Sequence, residues 1–298
     1  ARVVKASRLA IDLAISPRLD AARHPELVGR LMFWRGPVAP PQPLLPGDVR
    51  KPLEENSRLQ GIAKKGRHGV GEDGKTLNES KAVSLRDALL ESIITEFYRD
   101  SRLVAYGEEN RDWDGAFGVY RGMTESLPYH RLFNAPISEA AIIGTAVGAA
   151  QAGLRPVCEL MYIDFLLLAM DQIANQGAKN RYMFGGKTTV PMVLRTEGGA
   201  GRCIAAHHSQ SLEAWFVHAP GCFVVMPATP YDAKGLLKTC IRDDNPILFI
   251  EHKMLYNNKG EVPSEEYLIP LGKAAVRREG DDVTIVSYSR MALRAEEA

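Results

Sequence analysis

The sequence predicts an α/β fold: a doubly wound, mostly parallel sheet with helices on both faces. Two observations predict it. From Ser84 onward, short apolar runs alternate with segments of helical periodicity. Several runs, at 103–106, 223–226 and 247–250, are apolar at every residue rather than every second one. Strands buried on both faces read that way.

Before Ser84 the chain differs. Residues 1–35 carry apolar residues at mixed three and four spacing, at 6–15 and 27–33, and read as helical. Pro37, Pro40, Pro41, Pro43 and Pro46 then exclude helix and predict an extended connector. Residues 47–80 are polar and charged, and read as a linker that wraps a surface or stays disordered. This linker holds a literal GxGxxG at 69–74. It has no strand before it and no helix after it, so it is not a dinucleotide fingerprint.

Ser84 and Asp87 make a capping-box-like pair, and Leu85, Ala88, Leu89, Ile93 and Phe97 follow helical spacing. A strand at 103–106 ends in Gly107, and 110–121 is loop-like. Next come a helix at 138–150, a strand at 157–161 and a long helix over 164–182. Strands at 191–196 and 223–226, a helix at 231–242 and a strand at 247–251 follow. Residues 283–288 read as one more strand, followed by the start of a helix. Ligands of such sheets sit at the carboxyl ends of the strands.

The stretch 136–150 organises the rest. Ser138 stands at the N-cap, and Glu139 falls in the first turn, where the helix dipole favours a carboxylate. Gly144 and Gly148 flatten one face. A helix this apolar is expected to be buried on most sides, which puts Glu139 at its mouth. A first-turn Glu that only offsets the dipole would look the same.

Composition is that of an ordinary globular chain: 298 residues, 45% hydrophobic, 24% charged, net charge +1. Neither nucleic acid nor an anionic membrane is the indicated partner. No run reaches the about 18–20 apolar residues that span a bilayer. Cys158, Cys203, Cys222 and Cys240 form no CxxC and read as reduced thiols of a cytoplasmic or matrix protein. The sequence starts without Met and stops inside a periodic segment, so it reads as a fragment.

Taken together, Ile137-Ser138-Glu139, 107–110, 153–159, 171–175, Ala206-His207-His208-Ser209-Gln210-Ser211, 220–221, 232–237 and 245–251 resemble one family in order and spacing. It is the β subunit, or β half, of the thiamine-diphosphate-dependent first component of 2-oxo-acid dehydrogenase complexes. The resemblance runs from about residue 81 to the end. It implies a transketolase-like pyrimidine-binding domain at 81–258. Residues 1–80 would then be helices and linker at the tail of a fused α half, and 259–298 the start of a truncated C-terminal α/β domain.

The resemblance also implies roles. Glu139 would share a proton with the cofactor's pyrimidine ring nitrogen. Phe165 and Ile137 would contact that ring, with Tyr162 close by, and Glu108 would belong to the same cofactor site. His208 would bind the substrate-derived group and assist its passage to lipoamide; His207 has no assigned role. The two adjacent histidines, on an extended segment, are expected to point in different directions. Cys240, Asp243 and Asn245, at a helix end, would hold potassium, though helix capping by Asn245 explains them equally well. Glu108 and Asp164 could help link paired active sites, although solvated surface acids are the default reading.

The family's Gly-Asp-Gly…Asn motif for the magnesium diphosphate is absent from this sequence. An α half would supply it. The other expected partners are a second β half, giving a homodimer or heterotetramer, and a lipoyl acyltransferase component. The expected reaction is oxidative decarboxylation of a branched-chain oxo acid or pyruvate. A transketolase-like or acetoin-type enzyme and a non-catalytic dimerising scaffold are the alternatives. Intact Glu139 and His208 argue against the scaffold.

Overall fold

The computed structural model describes residues 22–64, 66–67 and 80–298. The expected helix at 6–15 and the GxGxxG at 69–74 lie outside them.

Helix α1 (Pro25–Met32) has Pro in its first turn, where a missing N–H costs nothing. Phe33 then stacks on Phe223, centroids 4.6 Å apart. The Asn245 side chain accepts from the Trp34 N–H (2.6 Å) and donates to the Trp34 carbonyl (2.9 Å). The proline-rich stretch forms no helix or strand, and hydrogen bonds anchor it. The Ala39 N–H donates to Asp244 (3.0 Å), the Gln42 N–H to Asp100 (3.3 Å), and Arg102 to the Pro40 carbonyl (2.8 Å).

A turn at Leu53–Glu55 leads into α2 (Ser57–Ala63). Asn56 caps α2 by accepting from the N–H groups of Arg58 and Leu59, 3.1 Å each. Ile62 is 2% exposed and lies in the main core, with Val49, Leu53 and Leu59 packed against it. Of the two readings of 47–80, wrapping a surface rather than disorder holds over 47–64. Apolar residues spaced among the charges give this segment something to bury, and it wraps the domain.

Strands β1 (Gly66–Arg67) and β2 (Ser80–Ser84) precede α3 (Leu85–Arg99), whose cap is Ser84, accepting from the Asp87 N–H (3.2 Å). Then follow β3 (Leu103–Gly107), β4 (Leu132–Asn134), α4 (Glu139–Gln151), β5 (Arg155–Leu160), α5 (Asn180–Met183), β6 (Val193–Gly198), α6 (Glu213–Val217), β7 (Phe223–Val225), α7 (Pro230–Arg242), β8 (Ile247–His252), β9 (Lys259–Pro263) and α8 (Ser289–Glu297).

The main sheet has six strands in the order β4-β3-β5-β6-β8-β7, all parallel. A small antiparallel sheet joins β1, β2 and β9. One core, including Leu89 and Ile93 of α3 and Leu237 of α7, covers one face of the main sheet. A second, including Ile143 and Ala146 of α4 and Phe216 of α6, covers the other. The doubly wound α/β architecture is the one the sequence predicts.

Three segments differ from expectation. The long helix over 164–182 is broken into a tight 3-10 stretch (Ile163–Ala169), a wide π turn (Gln172–Gly177) and α5. Gly177 sits where an added Cβ would meet the Gln172 carbonyl at 3.3 Å and Val147 at 3.6 Å, so the wide turn lies close against α4. Residues 283–288 form no strand: Val283, Ile285 and Val286 are exposed, and a strand needs a neighbour to accept its hydrogen bonds. Helix α4 is only half covered. Ile142, Ile143, Ala146, Val147 and Ala150 are buried, while Ala140, Ala141, Thr145 and Gly148 are exposed.

Candidate active site

Because the six main strands are parallel, their carboxyl ends open on one edge of the sheet. Glu108, Ile137, Glu139, Tyr162, Phe165, His207 and His208 all follow strand ends on that edge, whereas Cys240, Asp243 and Asn245 precede β8 at the other. Glu108 directly follows β3. It is buried and its Oε1 has no protein partner. The expectation of a solvated surface acid is thus corrected for Glu108, and likewise for buried Asp164. Asp164 Oδ1 accepts from the Gln210 N–H (3.1 Å), and its Oδ2 has no partner.

Glu139 opens α4, as expected, and is half-buried. Ser138 stands at the N-cap, but its side chain makes no capping bond. The helix start is fixed from the strand side instead, where the Tyr106 hydroxyl donates to the Ile142 carbonyl (2.9 Å). Burial first, and the Glu139 charge second, push the Glu108 carboxyl above its usual range. Ile137, just before, is 80% exposed at the mouth.

Beyond β5 and β6 an aromatic cluster forms. His208 meets Tyr162 edge-on (5.1 Å, 83°) and Phe165 edge-on (5.4 Å, 77°). His207 lies 4.5 Å from His208 and 6.5 Å from Phe165, ring centre to ring centre. The histidines therefore do not sit on an extended segment. They share one 3-10 turn (Ala206–His208) that starts from Ala205 at φ +65°, and both rings come to the same cluster. His208 is half-buried and His207 exposed.

Residues that sequence reasoning missed complete the wall. Phe117 meets Tyr162 edge-on at 6.0 Å and stacks on Tyr256 at 4.6 Å. Arg202 lies 5.5 Å over Phe117. Lys253, just past β8, is fully buried, with its ammonium 4.8 Å above the Tyr162 ring. Burial lowers its pKa, and the charges of Asp164 and Glu197 act to raise it. A glycine-rich loop after a strand was the available signal for Phe117; Lys253 lies in the segment 251–256, which resembles the family without assigning it a role.

A buried charge cluster stiffens the strands that carry these loops. Arg195 of β6 places Nε and Nη2 on the two Glu251 oxygens (2.7 and 2.6 Å) and Nη1 on Glu159. The Tyr256 hydroxyl donates to Glu251 (2.6 Å). Burial pushes Glu159 and Glu197 above the usual carboxylate range. Charged residues inside otherwise apolar runs were the sequence signal here.

Cys240, Asp243 and Asn245 do come together at the end of α7. Asn245 is engaged with Trp34 and donates to Asp243 Oδ1 (2.7 Å). The Arg155 guanidinium already donates to the carbonyls of Ile241 (3.1 Å) and Asp243 (3.0 Å). Burial raises the Cys240 thiol well above its usual range. The Asn245 side chain reaches no carbonyl of α7, so the Arg155 guanidinium rather than Asn245 satisfies that helix end. Among the described residues no cluster of three or more His, Cys, Asp or Glu could hold a metal, and no helix is long and apolar enough to cross a membrane.

Residues 81–259 match the family described as transketolase, pyrimidine binding domain. The β subunit of acetoin:2,6-dichlorophenolindophenol oxidoreductase from Cupriavidus necator is 47% identical over 229 residues, covering 74% of this chain and 68% of that one. The mitochondrial pyruvate dehydrogenase E1 component subunit beta of Caenorhabditis elegans is 45% identical over 221 residues (73% and 63%). The chain belongs to this family of β subunits. The 2-oxoisovalerate dehydrogenase subunit beta of Bacillus subtilis, 43% identical over 219 residues (72% and 67%), is another relative in it. The chain spans about two thirds of the length of these relatives (68%, 63% and 67%). A solved structure described as a split-gene transketolase, inactive β4 tetramer, superposes with TM-score 0.56 at 20% identity, covering 72% of this chain and 65% of that one. It shows the shared fold.

The family's cofactor is thiamine diphosphate, and the residues at the sheet edge fit its pyrimidine end. A flat heterocycle with a ring nitrogen needs an acid and apolar or aromatic walls. Glu139, the unpartnered Glu108 Oε1, Phe165 and the exposed Ile137 are of those kinds.

Proposed function

We propose that this chain is the pyrimidine-binding β half of a 2-oxo-acid dehydrogenase first component, oxidatively decarboxylating a 2-oxo acid and passing the acyl group to lipoyl groups. One observation carries the reading: half-buried Glu139 on the first turn of α4, beside buried and unpartnered Glu108, on the same sheet edge as the Tyr162–Phe165–His208 cluster. A scaffold needs neither the acids nor the histidine there.

Thiamine diphosphate, when bound, supplies a nucleophilic thiazolium carbon and an electron sink. Glu139 would hold a proton at its carboxyl toward the pyrimidine ring nitrogen. Glu108, whose carboxyl is pushed above its usual range by burial, would limit the negative charge around the Glu139 carboxyl. Phe165 and Ile137 would seat the ring. His208, fixed between two aromatic edges, would donate a proton to the substrate-derived group and orient it for transfer. The magnesium diphosphate would be held by an α half. A second β half would cover the open small-residue face of α4, and a lipoyl acyltransferase would be the acceptor component. A cytoplasmic or matrix location suits these partners.

The test uses the chain assembled with an α half. His208→Ala is expected to keep cofactor affinity within about twofold and to cut acyl transfer to lipoyl groups by about 10²-fold or more. His207→Ala is expected to cost much less. Equal losses from the two variants would contradict the assignment.

A further inference from the structure

We propose that Lys253 is the positioning residue for His208, its buried ammonium holding the carbonyl of the histidine turn and the ring of Tyr162 together. The proposal rests on the reading of His208 given above.

Lys253 is 0% exposed. Lysine is among the residues least often fully buried, because its charge must be compensated inside. Its main chain is held on both sides: the N–H donates to Gly198 (3.1 Å), and the carbonyl accepts from Arg202 (3.2 Å from Nη2). The side chain starts from the end of β8, a strand paired on both edges. Its Nζ donates to the His208 carbonyl at 2.6 Å. The same ammonium stands 4.8 Å over the Tyr162 ring, a cation–π contact.

Lys253 supplies the hold at His208 itself, beyond the bonds of Gln210 to Asp164 (3.1 Å) and Gly199 (3.0 Å) at the exit of the histidine turn. That turn is three residues long and carries one internal main-chain bond, Ser209 N–H to Ala206 (3.2 Å). Two non-glycine residues with positive φ, Cys203 (+57°) and Ala205 (+65°), lead into it. The Ser209 hydroxyl adds only a local bond to Ala205 (2.7 Å). Lys253 instead ties the turn to the sheet across 45 residues of sequence. One cation thus fixes the main chain of His208 and one of the two rings against which its imidazole rests. An uncharged side chain of similar length could fill the space but could not bind both.

In the assembled enzyme, Lys253→Met is expected to cut acyl transfer about 10- to 100-fold while the KM for the oxo acid and the cofactor affinity stay within about twofold. In protein carrying ¹³C-labelled histidine, the His208 ring resonances should broaden or shift, and those of exposed His130 should not. Adding ethylammonium to Lys253→Ala should restore at least half of the lost transfer, and this arm serves if Lys253→Met fails to assemble. The double variant with His208→Ala should be no slower than His208→Ala alone. Wild-type transfer with unmoved His208 resonances would overturn the proposal. So would losses that multiply in the double variant. If His208→Ala alone leaves transfer intact, the functional reading fails, and the resonances still decide whether Lys253 positions the ring.

Discussion

Arg195→Met removes the cation at the centre of the buried charge cluster. Methionine refills most of the volume, so the main loss is electrostatic. Glu159, Glu197 and Glu251 remain, each at most 2% exposed. Burial already raises Glu159 and Glu197. Acids raised in the folded state contribute stability that is fully present below the unfolded pKa, about 4.3, and lost as pH rises through the folded value. Without Arg195 at least one more carboxylate must take a proton to stay buried. That proton costs about 1.4 kcal/mol per pH unit above about 4.3. One proton then costs about 1.6 kcal/mol at pH 5.5 and about 5 kcal/mol at pH 8. The second figure matches the about 3–5 kcal/mol expected for breaking a buried pair. At about 2–4 °C per kcal/mol, the Tm should fall roughly 10–20 °C at pH 8 and only about 3–6 °C at pH 5.5. Calorimetry at the two pH values checks this. Equal losses at both, or a loss under about 1 kcal/mol at pH 8, would refute the reasoning.

Two further predictions concern the strap and the acid pair. Asn245→Ala removes the side-chain bonds to the Trp34 main chain, so protease cleavage within 34–46, slow in the wild type, should speed up about tenfold or more; unchanged cleavage would mean the prolines alone hold the strap. Glu108→Gln removes an acid that burial and Glu139 push up. Because a raised acid loses its stabilising effect as pH rises, the stability of the variant relative to wild type should grow from pH 5 to pH 8, and a pH-independent difference in urea titrations would speak against the pairing.

The sheet was legible because its strands are apolar at every residue, and the helices between them, α3 and α7 above all, carry regular apolar spacing. Glu139, Phe165 and His208 were singled out through the family resemblance, and the structure brings the Phe165 and His208 rings together. Other features have no local signal. The anchoring of 33–64 depends on Asn245, Asp244 and Asp100, which are remote in sequence. The break over 164–182 coincides with a close approach to α4 at Gly177, which periodicity cannot register. The pairing of the two histidine rings depends on positive φ at Ala205, a residue that seldom adopts it. The segment 251–256 belongs to the resemblance, but the hold of Lys253 on His208 shows only once the chain is folded. The 283–288 run has strand chemistry, but a strand is a property of a pair.

Deuterium exchange at the thiazolium carbon of bound thiamine diphosphate, measured in the assembled enzyme with Glu139→Gln, is the most direct test of the site. Glutamine keeps the shape and a hydrogen-bonding group but cannot hold an exchangeable acid proton for the ring. Exchange slowed about 10²- to 10⁴-fold, with cofactor affinity only modestly weakened, is the expected result. Exchange at the wild-type rate would reduce Glu139 to a residue that merely starts a helix.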